Sequence, residues 1–256
     1  MGTKGGILNW FSEKRNLRRW AKQANEAAET PLVDLRRQRN EARQLRAHLD
    51  GLLHVADSRL ALPMIGSNAF QKPQDADWAW RPDLWRGPLP RPGISSVPSK
   101  SMLGNQVTLF HDCGRSELTL RQLRNKRESD LAPFGLRLDV FKFTGSYLSL
   151  AIDLPEEAAR GLMRKHLVRM DTIVEMEKPL EIFARLNIKH GPNTEQIVRE
   201  LPLHEEDIMV EFDLAYTKLN ERRVERLWMD LIFEGPQMNQ VILRDLTFSR
   251  RPRADF

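Results

Sequence analysis

Between residues 135 and 250 apolar and polar side chains alternate with a period of two, the pattern of strands with one face buried. Leu148, Leu150, Ile152 and Leu154 alternate with Tyr147, Ser149, Ala151 and Asp153. Val168, Met170, Thr172, Val174 and Met176 alternate with Arg169, Asp171, Ile173, Glu175 and Glu177. Leu180, Ile182, Ala184, Leu186 and Ile188 face away from Glu181, Phe183, Arg185, Asn187 and Lys189. Ile208, Val210, Phe212, Leu214 and Tyr216 oppose Met209, Glu211, Asp213 and Ala215. Leu227, Met229, Leu231 and Phe233 oppose Arg226, Trp228, Asp230 and Ile232, and a last strand is expected over 240–249. Turn residues separate these runs at Thr144-Gly145, Lys178-Pro179, His190-Gly191-Pro192-Asn193 and Gly235-Pro236. Within this region only 155–166 reads as helical. The pattern predicts a mainly β C-terminal domain over 101–256, an antiparallel β-sandwich or jelly roll.

The period changes to helical in the N-terminal part, which predicts an α-helical arm over 1–62. In residues 7–28, Ile7, Trp10, Phe11, Leu17, Trp20, Ala21 and Ala24 recur at three- and four-residue steps, opposite Lys14, Arg15, Arg18, Arg19 and Lys22. Rings on one side and cations on the other suit a helix lying on an anionic membrane surface, or one packed on another element. Thr30-Pro31 is expected to cap and start a second helix. Leu35, Ala42, Leu45, Leu49, Leu52 and Ala56, with Gln38 at a polar seam position, approach a heptad over 32–60. That seam predicts a weak homo-oligomer or a hairpin with the first helix. The basic residues of this helix offer no recognisable nucleic-acid-binding fold and no interleaved aromatics, so nucleic acid is not expected as a partner.

Between them, residues 63–100 carry seven of the fifteen prolines and three of the six tryptophans, concentrated at Trp78, Trp80 and Trp85. Proline keeps such a segment out of helices and central strands, while large rings are unfavourable in water. An extended strap with docked tryptophans, or a partner-recognition segment, follows.

Charge is polarised. Residues 1–62 hold twelve Lys/Arg against seven Asp/Glu, whereas the remainder holds 28 of each sign, so the +5 net charge lies in the arm. With one cysteine, Cys113, no internal disulfide can form, which fits a reducing compartment. The sequence shows no secretory pattern and no run of 18 apolar residues, and Gly6 departs from the myristoylation motif. A cytoplasmic setting, with peripheral contact at the inner membrane face, is the expectation.

Two resemblances bear on the fold. Residues 230–236 (DLIFEGP) and 241–250 (VILRDLTFSR) are similar to the closing strand pair of jelly-roll carbohydrate-binding modules. The whole chain resembles an uncharacterised family of alphaproteobacterial proteins, through residues 170–177 (MDTIVEME) and 190–195 (HGPNTE). The first implies a jelly-roll fold; the second implies a bacterial cytoplasmic protein and brings no activity with it.

Should the outward residues of neighbouring strands share one face, Phe183, Arg185, Asn187, Glu211, Asp213, Arg226, Trp228 and Asp230 would form a site. A flat ring flanked by Arg, Asn and Asp is what a saccharide requires; the same charges could equally pair across strands as a surface ladder. His111-Asp112-Cys113 sets an imidazole, a carboxyl and a thiol side by side, but no helix N-terminus or glycine elbow is evident to activate the thiol. The six histidines show no metal-binding spacing, and neither a metal nor a cofactor is expected. Glu175 with Glu177, or Glu211 with Asp213, are same-face carboxylate pairs that could bind Ca²⁺ or serve glycoside hydrolysis. The leading expectation is a non-enzymatic binding or scaffolding protein whose sandwich recognises a glycan. A membrane-surface adaptor and a carbohydrate-active enzyme are the alternatives.

Overall fold

Alternation in the sequence becomes two facing sheets. The structure, a computed structural model, describes the backbone of residues 5–60, 69–205 and 207–253, and side chains from residue 14 onward except at 54 and 57–59. It divides into two units, Met1–Leu53 and His54–Phe256.

The first unit is helical: α1 spans Gly5–Asn25, and α2 begins at Leu32 and runs to Leu60. Thr30 does not cap α2; its hydroxyl donates to the Glu26 carbonyl and so satisfies the end of the preceding turn. The seam residues Leu45, Leu49 and Leu52 are exposed.

The second unit is an antiparallel β-sandwich. Its strands are β1 (Trp78–Trp80), β2 (Gly93–Ser95), β3 (Ser101–Leu103), β4 (Val107–His111), β5 (Glu117–Arg124), β6 (Phe134–Lys142) and β7 (Leu148–Asp153). They continue with β8 (His166–Met176), β9 (Ile182–His190), β10 (Asn193–Glu200), β11 (Asp207–Asp213), β12 (Val224–Phe233) and β13 (Asn239–Pro252). One sheet has the order β11-β8-β13-β6-β5-β2, with β1 added on β13; the other has the order β10-β9-β12-β7-β4-β3. From β6 onward the chain crosses between sheets at nearly every step, the jelly-roll habit, with the β9–β10 hairpin as the exception. Short helical turns α3 (Asp83–Arg86) and α4 (Glu156–Ala159) sit between strands.

The inward positions predicted for β7, β8, β9 and β12 are the buried ones: Leu148, Leu150, Ile152, Val168, Met170, Ala184, Leu186, Leu227, Met229 and Leu231 are all in the core. Each large apolar side chain so buried contributes about 1.5–3 kcal/mol. Tyr216, expected to continue the inward row, is 83% exposed, because β11 stops at Asp213 and the chain turns at Leu214–Thr217.

From Trp78 onward, the proline- and tryptophan-rich segment is part of the sandwich. β1 pairs with β13, and Trp80 stacks on Phe248 with ring centroids 6.0 Å apart. Trp85 is fully buried, its indole N–H donating to the Leu243 carbonyl at 3.0 Å. Arg81 and Asp245 close a buried bidentate pair at 2.9 and 2.6 Å. The sheets thus begin before residue 101. Prolines at 82, 88, 90 and 92 fall outside the strands, at the N-terminal edge of α3 and in the following loop.

Candidate functional site

The outer face of the β10-β9-β12-β7-β4-β3 sheet carries a cleft of about 540 Å³. Strand register builds it in rows. In one row Asn187, Trp228 and Asp153 lie side by side on β9, β12 and β7. In the next stand Arg185, Asp230, Ala151 and Thr108, and in the third Phe183, Ile232, Ser149 and Phe110. Tyr147 follows Ser149 by one further row on the β7 side, at 45% exposure. The middle of the floor is therefore small (Ser149, Ala151, Thr108), and the rings of Trp228, Phe110 and Tyr147 rise around it.

Four charges line this cleft, and they are paired. Arg226 bonds to Asp153 across the β12–β7 ladder and also stands over the Trp228 ring, 5.3 Å from its centroid. Arg185 donates through Nε and Nη2 to Asp230 Oδ2 at 3.1 and 2.8 Å. The same oxygen accepts from Asn187 Nδ2 at 2.9 Å, and Gln196 Nε2 donates to Asn187 Oδ1 at 2.9 Å. Asn187 is completely buried by these partners, so it orients Asp230 and does not line the cleft. Such a hydrogen-bonded carboxylate is held in one position, which suits it to accept from ligand hydroxyls.

Tyr147 is carried by a turn that Asp112 organises. The Asp112 carboxylate accepts from the Ser146 hydroxyl and amide (2.6 and 2.7 Å) and from the Tyr147 amide at 3.3 Å. The Ser146 hydroxyl first, then these amides, hold that carboxyl below the usual Asp range.

Of the residues expected to share one face, Arg185, Arg226, Trp228 and Asp230 line the cleft, while Phe183 and Asn187 lie on the same strand as Arg185 without lining it. Glu211 and Asp213 stand apart from them. β11 pairs with β8, which places both residues in the opposite sheet. There Glu211 meets Arg251 at 3.3 Å and Asp213 meets Arg253 at 3.5 Å. Glu175, from the other carboxylate pair, is held by Arg244 at 2.6 Å and contacts Arg127. Phe110, Tyr147 and Asp153 were not in the expected set. All three are outward members of alternating runs, and only the register of β4, β7 and β12 brings them to Trp228.

The remaining sequence candidates have ordinary partners. His111 Nε2 lies 2.8 Å from the Val97 carbonyl, which can only accept, so Nε2 carries the proton; Nδ1 accepts the Cys113 amide at 3.2 Å. Both ring nitrogens are thereby occupied by backbone, and neither serves the thiol. Among the described residues no group of three or more His, Cys, Asp and Glu could hold a metal ion. On α1, Lys14, Arg15, Arg18, Arg19 and Lys22 are exposed, Arg19 stands 5.5 Å over Trp20, and Leu17 is 73% exposed. The side chains of Trp10 and Phe11 lie outside the described residues. Among the described residues no helix is long and apolar enough to cross a membrane.

A family profile matches the chain from residue 1 to residue 256. The chain belongs to DUF6478, a family of unknown function. No curated protein matches its sequence. Among solved structures it is similar to the enzymatically active domain of bacteriophage CBA120 tailspike protein 4, at 10% identity and a TM-score of 0.42. That match covers 60% of this chain and only 21% of the phage protein, so the chain spans about a fifth of its length. It is also similar to a family 11 carbohydrate-binding module from Clostridium thermocellum in complex with a β-1,3-1,4-mixed-linked tetrasaccharide. There the identity is 10%, the TM-score 0.39, and the coverage 64% of this chain and 97% of the module. A xylan-binding CBM22-1 domain from Paenibacillus barcinonensis gives 10% identity, a TM-score of 0.36, and coverage of 64% and 94%.

Proposed function

We propose that the cleft on the outer face of the second sheet binds a saccharide and that the protein acts by binding, without catalysis. The observation that carries this reading is the combination in one cleft of three rings, Trp228, Tyr147 and Phe110, with hydrogen-bonded carboxylates and guanidinium groups. A sugar offers an apolar face that packs on a ring and hydroxyls that both donate and accept, and this lining answers both. Glycosidic cleavage needs one carboxyl to deliver a proton to the leaving oxygen. Here Asp153 and Asp230 each accept from an arginine and serve as fixed acceptors.

The test is a saccharide screen of the full chain beside its Trp228→Ala variant. A hit weakened by roughly tenfold or more, the equivalent of about 1.4 kcal/mol, supports the reading. A folded protein that binds no saccharide sinks it.

A second reading concerns the arm and stands independently. Lys14, Arg15, Arg18 and Arg19 are exposed beside an exposed Leu17 and a half-buried Trp20, the chemistry of a helix resting on anionic lipid. The expected result is binding to phosphatidylserine vesicles that weakens as salt rises and is lost when residues 1–28 are removed. Unchanged partitioning after that removal eliminates the adaptor role.

A further inference from the structure

We infer that the ligand of this cleft is a neutral oligosaccharide, a chain of several uncharged sugars laid diagonally across β12, β7 and β4. This rests on the saccharide reading above and narrows its ligand class. Two observations carry it.

The first is charge balance. The cleft is lined by two arginines and two aspartates, and each arginine is engaged by one of the aspartates across a strand ladder. A uronate or sulfated sugar that meets either guanidinium also meets the aspartate bonded to it, so the lining offers an anion no net attraction. The same holds for a cationic sugar. Neutral hydroxyls need none, since a carboxylate already bonded to arginine keeps lone pairs for an O–H donor, and a bonded guanidinium keeps N–H groups for an acceptor.

The second is length. Trp228 and Phe110 lie two rows and two strands apart. Rows two residues apart are about 7 Å from each other and neighbouring strands about 4.8 Å, so the backbone positions that carry the two rings are about 16 Å apart. Between them the floor is low, at Ser149, Ala151 and Thr108. One pyranose cannot reach both rings, and a chain of them can. Tyr147, beyond Phe110, extends the same end.

The experiment measures binding of glucose, cellotriose, cellohexaose, laminarihexaose and xylohexaose, with hexagalacturonate as the charged counterpart, to the full chain by calorimetry. At least one neutral hexasaccharide is expected to bind tenfold or more tightly than the monosaccharide and than hexagalacturonate. Phe110→Ala should weaken the hexasaccharide severalfold, and Asp153→Asn, which frees Arg226, should raise affinity for hexagalacturonate. A monosaccharide that binds as tightly as the hexasaccharide, a preference for hexagalacturonate, or no response to Asp153→Asn each overturns the assignment while leaving the cleft a saccharide site. If no probe binds to a protein that still melts cooperatively, both the assignment and the saccharide reading fall.

Discussion

Arg81 and Asp245 show what a single buried pair can decide. Their side chains are 2% and 9% exposed, and Phe70 lies over the guanidinium with its centroid at 4.9 Å. Burial holds the Asp245 carboxyl above the usual Asp range, and the Arg81 charge and hydrogen bonds beside it offset that only in part. Asp245→Asn keeps the shape and removes the negative charge that neutralises the buried Arg81 guanidinium. A loss of about 3–5 kcal/mol is expected, read from the urea midpoint at constant slope. His166 gives a pH dependence. Burial first, then the neighbouring Arg250, holds its imidazole below the ordinary value of 6.5, and the contrary pull of Asp77 does not overcome them. The folded protein thus takes up that proton less readily than the unfolded chain. The stability it contributes is complete above about 6.5 and is lost as pH falls from there toward the folded value. Urea unfolding near neutral pH and at about pH 5.5 should show the decline, and His166→Gln should flatten it.

At the scale of elements, the turn between β6 and β7 links the fold to the cleft. A Cβ on Gly145 would stand 2.3 Å from Asp112 Oδ1 and 3.1 Å from the Cys113 amide. Gly145→Ala should therefore push Asp112 out of its bonds to Ser146 and Tyr147, at a cost of about 1 kcal/mol, seen as a lower melting temperature and weaker saccharide binding. The sequence foretold the strands whose two faces differ most. β7, β8, β9, β11 and β12 were legible because apolar residues recur there at every second position. β10 was not: its residues (NTEQIVRE) are mostly exposed at a sheet edge, where only one neighbour constrains them. β1 and β2 are three-residue strands inside a proline-rich segment, and a period of two cannot be read from three residues. The candidate site was legible in part for the same reason. Alternation says which residues point outward, so Arg185, Arg226, Trp228 and Asp230 could be named. Which strands adjoin depends on hydrogen-bond pairing distant in sequence, and that decided against Glu211 and Asp213 and in favour of Asp153 and Phe110.

In the whole molecule, charge and architecture divide together. The helical arm carries the net positive charge, while the sandwich balances its charges in cross-strand pairs such as Arg185–Asp230 and Arg251–Glu211. The position of β13 has a consequence for how the protein comes into being. Among the described residues this strand follows all the others, yet it lies inside its sheet, paired with β8 along most of its length and with β6 and then β1 on the other side. A chain still emerging from the ribosome can fold hairpins such as β9–β10, but the open edges of β6 and β8 must wait for residues beyond 239. Until then the nascent sandwich leaves the backbone edges of β6 and β8 unpaired beside the row Val168, Met170 and Val174, and pairing of β13 is the step that closes them.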